Sequence, residues 1–105
     1  GEVWLGTKTT TGTATSTAIQ VVGGTLHVYG SGTQTLIEGR ANGRIIVEND
    51  ISRTWTTTRL FDGNVLLDIS KTSTSNFVTT NGIQALGANA QPRIVWPSGT
   101  KLARS

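Results

Sequence analysis

The chain contains no cysteine and no methionine. The lack of thiols excludes disulfides, thiolate catalysis and cysteine-ligated zinc. The lack of methionine at position 1 points to a processed product or a fragment of a longer protein. Prolines number two, aromatic residues make up 6% and charged residues 14%. No run approaches the roughly 18 apolar residues that span a bilayer, and no signal peptide opens the chain, so membrane insertion is not expected. Nine Lys and Arg against six Asp and Glu give a net charge of +3. The basic residues are dispersed, with no run of three and no basic stripe interleaved with aromatics, so no nucleic-acid partner is expected. Helical patterning is also missing: no window of eleven residues has apolar positions at i, i+3, i+4 and i+7. The nearest candidate, Gly82 to Ala90, has room for one helical turn at most.

What is present is nineteen Thr, eight Ser and thirteen Gly in 105 residues, a length that suits one domain. β-Branched Thr favours strands or extended chain over helix. Leu26 and Val28 alternate with His27 and Tyr29; Ile45 and Val47 alternate with Ile46 and Glu48; Val65, Leu67 and Ile69 share one face. Glycine, Asn and Asp break these short runs at Gly23-Gly24, Gly30-Ser31-Gly32, Gly39 to Gly43, Asp62-Gly63 and Asn81-Gly82. The reading is an all-β protein. Asp62-Gly63 and Asn81-Gly82 are its strongest tight-turn signals. Residues 1–16 read as a polar leader or linker and 17–105 as a single all-β domain, with a sub-boundary near 70–76. Strands of four or five residues at close spacing fit a β-solenoid, or a β-prism or β-sandwich built from hairpins. Such Thr-rich strands bury a modest core alone, so neighbouring chains are expected to cover them, giving an intertwined homotrimer.

The segment TAIQVVGGTLHVYGSGTQTLIEGRANGRIIVEND, followed by further Gly-, Thr- and Asn-punctuated strands, resembles bacteriophage tail fibre and tailspike segments over roughly residues 17–69. The resemblance is one of texture, and bacterial trimeric adhesins share it. It implies a trimeric β-structured domain of a virion tail fibre, or alternatively a bacterial cell-surface adhesin. Its partners would be two further copies, an upstream domain of the same fibre and a host surface polysaccharide. The function it implies is host attachment through carbohydrate binding and trimerisation. A purely structural stem is the alternative, and part of a polysaccharide depolymerase is a second one.

No catalytic set emerges from the residues themselves. Glu48 and Asp50 are the best-placed carboxylate pair for glycoside hydrolysis, but a solvated strand end accounts for them. Asp62, Asn64 and Asp68 lack the twelve-residue calcium pattern and read as a turn. His27 is the single histidine and has no companion ligands for zinc. The glycine clusters match no phosphate-binding loop. No cofactor and no metal is expected, and this chain alone leans away from being an enzyme. The candidate carbohydrate site is Trp55 with Arg53 and Arg59. Strict alternation through Arg53-Thr54-Trp55-Thr56-Thr57-Thr58-Arg59 puts the three on one strand face. There an indole would meet the C–H face of a sugar and the guanidinium groups would donate to hydroxyls or carboxylates. The competing reading buries Trp55 against Phe61 with the arginines over it. Trp96 reads as core, and Trp4 as packing on a neighbouring subunit or an upstream domain.

Overall fold

The computed structural model describes residues 1–6, 16–73 and 75–97. Ten strands account for their regular structure: β1 (Glu2–Leu5), β2 (Ser16–Val22), β3 (Thr25–Val28), β4 (Gly32–Arg40), β5 (Arg44–Val47), β6 (Arg53–Leu60), β7 (Leu66–Asp68), β8 (Phe77–Thr79), β9 (Ile83–Ala85) and β10 (Arg93–Val95). No helix occurs among the described residues. Sheet I runs β1-β3-β5-β7-β10, and sheet II runs β2-β4-β6-β8, with β9 also on β6. Every pairing is parallel. The chain therefore alternates between the two sheets and climbs one strand per circuit, a β-solenoid of about three turns. Trimer assembly lies beyond this single chain.

The parallel register overturns the hairpin-based prism or sandwich. Gly23-Gly24, Asp62-Gly63 and Asn81-Gly82 are corners between successive faces of one coil, and none of them folds a strand back on its predecessor. Strands β8 and β9, which flank Asn81-Gly82, both lie parallel to β6, on Arg53–Trp55 and on Thr58–Leu60. Most of the leader read at 1–16, and the end of the all-β domain from 98 to 105, lie outside the described residues. The N-terminal segment read as a leader contributes β1, which pairs with β3 from Glu2↔Thr25 to Leu5↔Val28.

Stacking like on like builds the core. Val3, Leu26, Ile45, Leu67 and Ile94 form one inward row in sheet I. Leu26, Ile45 and Leu67 in that row are buried, as are Val28, Val47, Val65 and Ile69. Sheet II contributes Val21, Ile37, Trp55, Leu60 and Phe77 to the same cluster. One chain thus supplies both walls of its own core. Gly39 also faces this interior. A Cβ there would sit 2.6 Å from Val65 Cγ1, so the close approach of β4 to Val65 requires glycine.

Sheet II bends at a fixed level. In β4, Gln34 and Ile37 are buried while Thr35 and Leu36 between them face outward; in β6, Trp55 and Thr58 are buried around Thr56 and Thr57. Two successive outward residues turn the strand through a corner. One coil further on, the same corner is Thr80-Asn81-Gly82: Thr80 N donates to Trp55 O, Asn81 N donates to Thr56 O, and Gly82 takes φ 73°. The corner between sheets II and I starts with Gly23 and Gly24 at φ 64° and 60°, and the next coil repeats that left-handed pair with Ala41 and Asn42 at 51° and 61°. Asn tolerates this region better than most residues. The Asn42 Oδ1 also accepts the Asn64 N–H at 2.8 Å, tying that corner to the coil above.

Candidate functional site

The three expected site residues do not share a surface. Trp55 is fully buried and Arg53 is 2% exposed, whereas the Arg59 side chain is 42% exposed. The physical reason is the corner at Thr56-Thr57. It inverts the alternation, so 53 and 55 point inward, 58 and 60 point inward, and 59 points out. Trp55 contacts Phe77 edge-on, with ring centroids 4.9 Å apart. The competing reading had the burial right and the partner wrong: Phe61 lies outside, under the Arg40 guanidinium, whose Cζ is 3.8 Å from the ring centroid. Arg53 is a structural cation. Its Nη1 donates to Asn49 O at 2.8 Å and its Nη2 donates to Gly30 O at 3.0 Å and to Asn49 Oδ1. It thereby fastens two corner loops of adjacent coils. Trp96 packs against the core as expected. Trp4 stacks on His27 within its own chain, with centroids 5.0 Å apart at 15° between planes.

Two side-chain clusters occupy the outer faces. On sheet I, His27 lies between two carboxylates. Its Nδ1 is 2.6 Å from Glu48 Oε2 and its Nε2 is 2.7 Å from Glu2 Oε1. Lys71 Nζ donates to Glu48 Oε1 at 2.7 Å. An ionised carboxylate only accepts, so both ring nitrogens donate at once only in the imidazolium form. The Glu48 bond, then the Glu2 bond, raise the His27 pKa. Burial pushes the Glu48 carboxyl up, but the hydrogen bonds from Lys71 and His27 outweigh it and hold the group below its ordinary range. The Glu48 bond in turn raises Lys71. Asp50, the other half of the candidate carboxylate pair, is engaged elsewhere: it accepts from Ser73 N at 2.9 Å, Ser73 Oγ at 3.0 Å and Asn76 Nδ2 at 3.1 Å. Hydrogen bonds from Asn76 and Ser73 lower its pKa. Glu48 and Asp50 thus each join neighbouring coils through separate partners. Asp68 accepts from Ser70 N and Ser70 Oγ, closing a local turn.

On sheet II, register aligns Gln20, Glu38, Arg59 and Gln84 across four strands. Gln20 Nε2 donates to Glu38 Oε1 at 2.8 Å, while Arg40 Nη2 and Arg59 Nη1 lie 3.7 and 3.8 Å from its two oxygens. The Glu38 side chain is 6% exposed beneath two arginines that are each about two-fifths exposed. With Arg40 lying over Phe61, this surface offers guanidinium donors beside an apolar ring. Sequence reading missed Glu38, Arg40 and Phe61 as a group. The signal was present only as the recurrence of polar residues one coil apart, which needs the coil length to be known.

Among the described residues no group of three His, Cys, Asp or Glu is placed to hold a metal ion. A cavity of about 280 Å3 opens at the N-terminal end of the solenoid, lined by Val3, Ile19, Val21, Leu26 and the Gly23-Gly24 corner. Its lining side chains include no acid or base. Comparison with protein families, with curated proteins and with solved structures finds no match to this chain.

Proposed function

We propose that the chain is a shaft segment of an extracellular attachment fibre of the bacteriophage tail-fibre or tailspike kind, serving to space and orient other domains. The observation that carries this reading is the use to which the polar side chains are put. Arg53, Asp50, Asn42 and Glu48 each bind a residue of an adjacent coil, so the groups that catalysis would need are spent on coil-to-coil cohesion. Parallel coils joined this way make a stiff element whose length grows with the number of coils. Assembly into a parallel homotrimer would stiffen the shaft further and belongs to the same proposal. Light scattering tests it: a mass of three chains, or of a multiple of three, is expected, and a mass near 11 kDa at all concentrations contradicts the trimer.

A second reading, attachment to host surface polysaccharide, is favoured by Arg40, Phe61 and Arg59 on the outer face of sheet II. The experiment that separates the two is retention on immobilised host glycan by the unsubstituted chain and by Phe61→Ala. Retention that is lost in a folded Phe61→Ala chain supports binding. No retention by the unsubstituted chain leaves the shaft role alone.

A further inference from the structure

Among the described residues, the two outermost strands of sheet I, β1 and β10, complement one another. The outward row Glu2–Thr25–Arg44–Leu66–Arg93 begins with a carboxylate and ends with a guanidinium. The inward row begins with Val3 and ends with Ile94, and the next outward row begins with Trp4 and ends with Val95. At the first edge the core is uncovered: Val3 faces inward yet is 63% exposed, and the cavity of about 280 Å3 lies beside it. At the last edge Arg93 is exposed and has no side-chain partner among the described residues. The outer edge of a sheet presents backbone N–H and C=O groups in the spacing a parallel strand needs.

We propose that β10 of one copy of this chain docks in parallel against β1 of a second copy, in the register Arg93↔Glu2, Ile94↔Val3 and Val95↔Trp4. This register continues every row of sheet I without interruption. The cation meets the anion, Ile94 covers Val3, and Val95 extends the Trp4–His27 stack. Shifting it by one residue would turn Ile94 outward and set Arg93 over the apolar row. The contact is head-to-tail, so it leaves a free β1 edge and a free β10 edge at the ends of any stack and propagates as an open filament. Among the described residues sheet II is one strand short at each junction, because β8 and β9 share the fourth level and β10 already begins the fifth. The cavity beside Ile19 and Val21 then remains as a slot one strand wide. The inference rests on the register of sheet I and is independent of the shaft reading, since a lateral trimer uses other faces.

The chain has no cysteine, which makes the test direct. Within one molecule β1 and β10 are four strand spacings apart, about 19 Å, well beyond the roughly 7 Å limit for a disulfide. A Glu2→Cys/Arg93→Cys chain, oxidised in dilute solution, is expected to give a ladder of covalent multimers on a non-reducing gel. Each single variant gives dimers at most. A Glu2→Cys/Val95→Cys chain, two residues out of register, is expected to give a much weaker ladder. Equal ladders in both registers, or no species larger than a dimer from a folded double variant, overturn the proposal. Sedimentation velocity of the unsubstituted chain decides the matter if the variants fail to fold. Mass rising steadily with concentration, and more so at low salt, supports stacking; a single fixed mass at every concentration overturns it.

Discussion

His27 Nδ1 and Glu48 Oε2 lie 2.6 Å apart on the outer face of sheet I, although the two residues are on successive coils. The same ring reaches Glu2 on the coil before. One imidazolium therefore joins three levels of the solenoid, and Lys71 reaches Glu48 from a fourth.

This arrangement makes stability depend on pH in a direction that can be derived. The folded pKa of His27 is raised above its value of 6.5 in the unfolded chain. Its contribution is then fully present below that value and is lost as pH rises through the raised folded pKa. Glu48 is lowered from 4.5, so its contribution is present above that value and is lost as pH falls through the lowered folded pKa. Thermal unfolding midpoints measured from pH 4 to 9 are expected to fall on the alkaline side for the unsubstituted chain. The alkaline fall is expected to be absent in His27→Gln. A similar alkaline slope in both chains would remove His27 as its source.

Trp55→Ala removes the largest fully buried side chain and is expected to cost about 3–5 kcal/mol. Arg59→Ala, at a half-exposed position beside one buried carboxylate, is expected to cost about 1 kcal/mol or less. Equilibrium urea unfolding of the two variants checks the contrast. Equal losses would contradict the inward placement of 55 and the outward placement of 59.

Gly39→Ala sets a methyl 2.6 Å from Val65 Cγ1 and 3.4 Å from Ile45 Cδ1. Overpacking of this kind is expected to cost about 1–3 kcal/mol. Gly39→Ala/Val65→Ala opens the space again and is expected to recover part of that loss relative to Val65→Ala alone. The non-additivity in a double-mutant cycle is the readout, and simple additivity would show that the two positions are not in contact.

Asn42→Ala loses the acceptor for the Asn64 N–H while keeping a side chain at φ 61°. A loss of about 1 kcal/mol is expected. Asn42→Gly removes the same acceptor but relaxes the backbone, so it is expected to lie closer to the unsubstituted chain in folded-state strain. Comparison of the two unfolding curves separates the hydrogen bond from the conformation.

The inward rows were legible in the sequence wherever a strand was short and strictly alternating. Leu26 with Val28, Ile45 with Val47, and Val65 with Leu67 and Ile69 all face the core as their period-2 pattern indicates. Arg59 was placed on the face of Trp55 because alternation was carried through Thr56-Thr57, where the strand turns a corner. A run of three threonines gives no hydrophobic contrast to mark the change. The parallel topology was obscured by Asp62-Gly63 and Asn81-Gly82, since positive φ serves a solenoid corner as well as a hairpin: Gly63 and Gly82 take φ 84° and 73° in corners. The Glu38 cluster was illegible for another reason. Gln20, Glu38, Arg59 and Gln84 are unequally spaced along the chain because the corners differ in length, so no fixed period brings them together.

The central claim is that successive coils stack in parallel within one chain, and backbone proton contacts observed by nuclear magnetic resonance test it most directly. The account expects cross-strand contacts of Leu26 with Ile45 and of Ile45 with Leu67, together with contacts between Ile37 and Thr58. Cross-strand contacts between Val22 and Thr25, and onward between Val21 and Leu26, would instead mark a hairpin at Gly23-Gly24 and would contradict the solenoid.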